Sequence, residues 1–143
     1  MNKEKQRKYD SMYMDVAHRI SEMSHCSRRQ VGAIIVNSGN IISFGWNGQP
    51  AGIPNGCEDD NNVTFPTVIH AENNAIKKIQ DTPPIGNAVT LFVTTNPCLI
   101  CAEIITNFGI KRVVYEERYR LHDGIDYLIQ HGVVVEQITT QNH

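Results

Sequence analysis

Apolar residues recur near the start of the chain at steps of three and four: Tyr9, Met12, Tyr13, Val16, Ile20 and Met23. That spacing predicts a helix over residues 9–24, with Asp15, Arg19 and Glu22 turned away from the apolar face. The pattern then changes. Residues 31–36 form a continuous run rich in Val and Ile, which suits a strand buried on both faces. Asn37-Ser38-Gly39-Asn40 is a tight turn, and residues 41–46 supply a second strand, so the two form an antiparallel hairpin. Residues 47–66 carry Gly48, Pro50, Gly52, Pro54 and Gly56 with an acidic patch at Glu58-Asp59-Asp60. A loop of this length inside a compact domain is usually functional, and a lid or specificity loop is the expectation.

Residues 70–80 read as a helix that packs through Ala71, Ala75, Ile76 and Ile79, and Pro83-Pro84 with Gly86 breaks the chain after it. Residues 89–94 form a strand. Pro97 fits the first turn of a helix over 98–108, with Thr95 or Asn96 as its cap and Asn107 and Gly109 at its end. A strand at 112–115 follows. The next helix, 123–131, presents Ile125, Leu128 and Ile129 and is stopped by Gly132. A last strand spans 133–136, and the polar tail 137–143 is expected to fray. The order α-β-β-α-β-α-β-α-β, without internal repeats, predicts an α/β domain: a mixed sheet with helices on both faces.

Composition narrows the class. The chain has 143 residues, 41% hydrophobic and 20% charged, which suits one domain with an ordinary core. A formal net charge of −2 provides no basic field for nucleic acid. No apolar run reaches the ~18 residues of a membrane span. Met1 to Lys8 is charged with no apolar segment behind it, so no secretory signal is read and the cytoplasm is the expected compartment. Four cysteines in such a chain point to reduced thiols or metal.

Two segments carry the candidate chemistry: His70-Ala71-Glu72 and Pro97-Cys98-Leu99-Ile100-Cys101. Cys98 and Cys101 share a helix face and its first turn, where free N–H groups and the helix dipole favour thiolate. Alone they would serve equally as a redox pair. His70 supplies a third ligand, and three protein ligands leave a tetrahedral Zn²⁺ one open position for water. Glu72 is then the proton carrier. His70 and Glu72 are two residues apart and point to opposite sides of a regular helix, so both reach one site only if His70 lies at the helix start, which Thr67 helps define. This His-x-Glu and Pro-Cys-x-x-Cys pattern marks zinc-dependent nucleobase deaminases. Cys26 and Cys57 read as ordinary reduced cysteines, with a second metal site shared with His18 or His25 as the alternative. His122 and His131 read as surface or helix-end residues.

From about Tyr9 to Val135 the chain resembles the deoxycytidylate (dCMP) deaminase branch of the cytidine deaminase superfamily. The resemblance is carried by Cys26-Ser27-Arg28-Arg29-Gln30-Val31-Gly32-Ala33, Gly45-Trp46-Asn47-Gly48-Gln49-Pro50-Ala51-Gly52, His70-Ala71-Glu72 and residues 94–101. It implies a single zinc-dependent deaminase domain over 1–143, with a three-layer α/β/α fold around a five-stranded mixed sheet. It implies hydrolysis of dCMP to dUMP and ammonia, supplying dTTP synthesis in a bacterial or phage-infected cytoplasm. His70, Cys98 and Cys101 match the zinc ligands and Glu72 the acid/base. Asn47 matches an Asn near the sugar, and Ala71 lies within the signature beside the substrate. A 5′-phosphate calls for Arg28, Arg118 or Arg120, and Tyr119 could stack on the base. Gly48, Gln49, Ala51 and Gly52 match a regulatory site where dCTP activates and dTTP inhibits, with Mg²⁺, in a homo-oligomer that is often hexameric. The rival enzymes are a tRNA adenosine, nucleoside or free-base deaminase. A structural zinc module is the non-catalytic rival, and it would close its site with a fourth protein ligand.

Overall fold

A computed structural model describes residues 2–84 and 88–139. Its elements are α1 (Lys3–Ser21), β1 (Gly32–Asn37), β2 (Asn40–Trp46), α2 (Ala71–Lys77), β3 (Val89–Thr95), α3 (Leu99–Phe108), β4 (Arg112–Glu117), α4 (Asp123–Gln130) and β5 (Val134–Gln137). The predicted element order holds throughout. Gly86 in the predicted break and residues 140–143 of the tail lie outside the described residues. Among the described residues, no helix is long and apolar enough to cross a membrane.

The five strands are ordered β2-β1-β3-β4-β5. β1 runs antiparallel to both β2 and β3, while β3-β4 and β4-β5 are parallel. Side chains alternate across the sheet. Ala33, Ile35, Leu91, Val93, Val113 and Tyr115 face a core shared with Ala71, Ala75 and Ile76 of α2, Ala102 and Ile105 of α3, and Ile125 and Leu128 of α4. Ile34, Val36, Phe92 and Val114 face Tyr13, Met14 and Ala17 of α1. This is the expected three-layer α/β/α arrangement around a mixed sheet.

Two helix faces differ from the sequence reading. α1 starts at Lys3, because the Asn2 side chain caps it by accepting the Lys5 N–H at 2.8 Å. Its buried positions are Asp10, Tyr13, Met14, Ala17 and Ser21, while Tyr9, Met12 and Met23 are exposed. The contact stripe includes a carboxylate, since Arg112 clamps Asp10 with two hydrogen bonds of 3.0 and 2.7 Å. On α4, Ile125 and Leu128 are buried but Ile129 is exposed.

The loop after β2 is held at several points. Gly48 bridges Ile69, and Glu58 bridges Thr64. Cys57 forms a disulfide with Cys26, 31 residues away in sequence, with Cα atoms 4.9 Å apart. The reading of two reduced cysteines is therefore corrected. The folded loop brings together two residues whose separation in the chain carries no pairing signal. The bond also removes the inference from cysteine usage to a reducing compartment.

Closing a loop of this length restricts the unfolded chain. Reduction of the Cys26–Cys57 bond is expected to lower the unfolding free energy by about 3–4 kcal/mol. Urea denaturation with and without dithiothreitol measures it, and coincident curves would contradict a stabilising role.

Candidate active site

The sheet topology gathers four connections at one edge. Because β1 is antiparallel to β3, its start lies beside the ends of β2, β3 and β4, with Ala33 opposite Val93 and Thr95 opposite Glu117. The segments around 26–31, 47–70, 96–98 and 118–121 converge there. Such edges at strand carboxyl ends are where α/β sheets bind ligands.

Two helix starts are pressed into this edge by glycines. A Cβ on Gly45 would lie 2.6 Å from the Ala75 nitrogen and 2.7 Å from the Ala71 oxygen, so α2 sits directly on β2. A Cβ on Gly124 would lie 2.2 Å from the Pro97 oxygen, so α4 closes against the start of α3. His70 is the N-cap of α2, extended at φ −70° and ψ 155°. That is the departure from helical geometry required for His70 and Glu72 to serve one site. Cys98 is the N-cap of α3, so the helix begins one residue later than predicted, and neither Thr95 nor Asn96 caps it.

The result is one compact donor cluster. His70 Nδ1 lies 3.3 Å from Cys101 Sγ and 3.5 Å from Cys98 Sγ. The three donor atoms all lie within 4.8 Å of one another. Hydrogen bonding from Cys101 outweighs burial and, with His70, lowers the Cys98 thiol to about 3. Cys101 moves the opposite way, raised by its hydrogen bond to Cys98, by burial and by the Glu72 charge. A divalent cation is the charge that allows both to ionise.

Glu72 is completely buried, and its Oε1 has no hydrogen-bond partner. Its Oε2 accepts from Arg120 Nη1 at 3.1 Å. Two thiols, an imidazole and an orphaned carboxylate oxygen fit a zinc site with an open position for a reacting water. A closed site would offer a fourth ligand atom instead.

A cavity of about 120 Å³ opens beside this cluster, lined by Arg28, Asn47, Val68, His70, Tyr119 and Arg120 among others. Asn47 is buried; its Oδ1 accepts the Val31 N–H at 2.9 Å and its Nδ2 donates to the Arg29 carbonyl at 2.8 Å. Its amide clips β1 to β2 and leaves one N–H over. Arg28 is exposed, with Nη1 3.4 Å from the Thr64 hydroxyl. Arg29 pairs with Glu117 and covers one face of the Tyr119 ring at 4.4 Å. Arg120 is turned inward onto Glu72, and Arg118 is exposed. Ala71 is buried at the first residue of α2. Gln49 bonds Thr67 at 2.7 Å and the Gly56 carbonyl at 3.0 Å, while Ala51 and Gly52 lie on an exposed turn beside it. His122 bonds Asp126 and His131 stacks on Tyr127, both at the ends of α4 and remote in role from the cluster.

Sequence reasoning missed two residues here. Glu58 stood out only as part of an acidic patch. Its carboxylate accepts the Ser27 N–H at 3.1 Å and the Arg28 N–H at 3.0 Å, tying the loop to the segment that carries Arg28. The upward push of burial on its carboxyl is outweighed by these N–H groups and the Ser27 hydroxyl, so it sits below its ordinary value. Glu58 also joins Cys26 and Cys57 as a second group of potential metal ligands, in place of His18 or His25. With the two sulfurs bonded to each other, that group lacks thiolates. Asn96 stood out only as a possible cap. It is fully buried and bonds the 119–121 backbone.

Residues 7–117 match the model of the cytidine and deoxycytidylate deaminase zinc-binding region. The chain belongs to this family. A crystal structure of dCMP deaminase from the cyanophage S-TIM5, in complex with dCMP and dUMP, superposes with a TM-score of 0.86 at 41% identity, covering 96% of this chain and 99% of that one. The deoxycytidylate deaminase of Mycobacterium phage D29 is 31% identical over 75% of this chain and 93% of its own. The chain spans only 41% of the Schizosaccharomyces pombe deoxycytidylate deaminase, to which it is 33% identical.

Metal analysis of the purified protein is expected to find one zinc per chain. Cys101→Ser and His70→Ala are expected to lose it while far-ultraviolet dichroism stays native. Thiol titration of the metal-free, unreduced protein should find two reactive groups, Cys98 and Cys101. Four would contradict the disulfide.

Proposed function

We propose that this chain deaminates dCMP hydrolytically, releasing ammonia and supplying dUMP for dTTP synthesis. The observation that carries this reading is the buried Glu72 carboxylate, with one oxygen free, beside the His70, Cys98 and Cys101 donors. Supporting it are the family and the likeness to a phage enzyme whose structure holds dCMP and dUMP.

Zn²⁺ held by His70, Cys98 and Cys101 would supply the Lewis-acid charge that makes water a nucleophile at neutral pH. Glu72 takes one proton from that water and gives it to the ring nitrogen next to the attacked carbon; it then takes the second proton, from the hydroxyl now on that carbon, and gives it to the departing amine as the carbonyl forms. Its burial serves this role, because a dry carboxylate exchanges its proton only with groups brought to it. Asn47 offers its spare N–H to the sugar, and the buried Ala71 backbone borders the pyrimidine. Tyr119 gives the base a ring whose other face Arg29 already covers. Arg28, exposed at the cavity rim, is the cation best placed for the 5′-phosphate.

The same reading extends to control. The Gly48, Gln49, Ala51 and Gly52 turn binds a regulatory nucleotide, with dCTP activating and dTTP inhibiting in the presence of Mg²⁺. The working form is a homo-oligomer, a hexamer, acting in the cytoplasm.

Incubation with dCMP, CMP, deoxycytidine and dCTP, with and without dCTP or dTTP plus Mg²⁺, tests the proposal by loss of cytosine absorbance. Turnover of dCMP is expected in at least one condition, and its failure in all of them would sink the reading. Glu72→Ala is expected to retain zinc while kcat falls by at least about 10²-fold, the contribution of a general acid/base.

A further inference from the structure

Arg120 lies in the loop after β4, and its guanidinium is buried against Glu72 with 15% of its side chain exposed. Its place is set by Asn96. Asn96 Oδ1 accepts the Tyr119 N–H at 2.9 Å and the Arg120 N–H at 3.0 Å. Asn96 Nδ2 donates to the Arg120 carbonyl at 3.1 Å and the Leu121 carbonyl at 3.3 Å. Arg120 Nη1 returns a bond to the Asn96 carbonyl at 3.2 Å. A buried amide that uses both ends on one short segment leaves that segment little freedom.

Charge balance points the same way. Glu72, Cys98 and Cys101 crowd negative charge at one spot, and Arg120 is the guanidinium that feels all three. Burial disfavours its charge, and Glu72 first, then Cys101 and Cys98, more than restore it. Its Nη1 is spent on Glu72 and on the Asn96 carbonyl. It is well disposed to hold a carboxylate in one orientation. It occupies Oε2 and leaves Oε1 without a partner.

We propose that Arg120, clamped by Asn96, is a positioning residue that holds the Glu72 carboxylate in one orientation through Oε2 and leaves Oε1 unpartnered. This rests on the deaminase reading above. It moves Arg120 out of the phosphate-binding set and leaves that role to Arg28.

The test uses the zinc-loaded protein and the variants Arg120→Ala, Arg120→Lys, Asn96→Ala and the Asn96→Ala/Arg120→Ala double. Arg120→Ala is expected to lower kcat on dCMP by about 10²-fold, the cost of a misplaced catalytic group. KM for dCMP and the Kd of dUMP should stay near wild type. Arg120→Lys should recover part of kcat, and millimolar guanidinium should partly rescue Arg120→Ala. The double variant should be no slower than the worse single, because the two residues act as one unit. A tenfold or larger rise in KM and in the dUMP Kd with kcat retained would overturn the proposal in favour of a phosphate contact. Additive losses would overturn the clamp. A thermal-unfolding cycle separates this inference from the choice of substrate. Arg120→Ala should lower Tm in the wild-type background and not in Glu72→Gln, whatever nucleotide the enzyme prefers. Equal shifts in both backgrounds would show that the pair is uncoupled.

Discussion

A carboxylate, two thiols and an imidazole share one largely dry corner of this molecule, and their negative charge must be balanced there. Much of the surrounding structure answers that requirement. Glu72 and the cysteines sit at the starts of α2 and α3, where unpaired N–H groups and the helix dipoles favour anions. Arg120 supplies a full positive charge to Glu72 Oε2. The remaining imbalance lies between Cys98 and Cys101, whose proton affinities are driven apart. A zinc ion is the natural counter-charge for that pair.

The sheet makes this concentration possible. An antiparallel β1 next to a parallel β3 and β4 turns the entry to one strand and the exits of three others toward the same edge. The loops there are short or tied. Asn47 joins the start of β1 to the end of β2, Asn96 joins the end of β3 to the loop after β4, and Glu58 with the disulfide joins the long loop to residues 26–28. In each case a polar side chain satisfies backbone groups that water would otherwise have to reach. The cavity therefore has walls held by hydrogen bonds rather than by apolar packing alone.

The His70, Cys98 and Cys101 donor cluster and the element order are legible in the sequence because each has a local cause. The Cys-x-x-Cys spacing and the His-x-Glu pair are set by one turn of helix, and apolar periodicity marks elements within a few residues. The failures share a different cause. The α1 stripe was misplaced because Asp10 is buried only by virtue of Arg112, far along the chain. Cys26 and Cys57 carry no pairing signal in the sequence because their bond depends on how the loop folds back. Asn96 reads as a cap from its own helix alone, whereas its partners lie in the loop after β4.

The sequence by itself determined the fold class, the grouping of His70, Cys98 and Cys101 and the need for His70 to stand at a helix start. These follow from residue type and spacing over a handful of positions. Only the tertiary structure decided which oxygen of Glu72 is free, which arginine holds the other, and which cysteines are bonded. Those outcomes depend on contacts between segments distant in the chain, where charge balance and hydrogen-bond satisfaction, not local pattern, choose the partner.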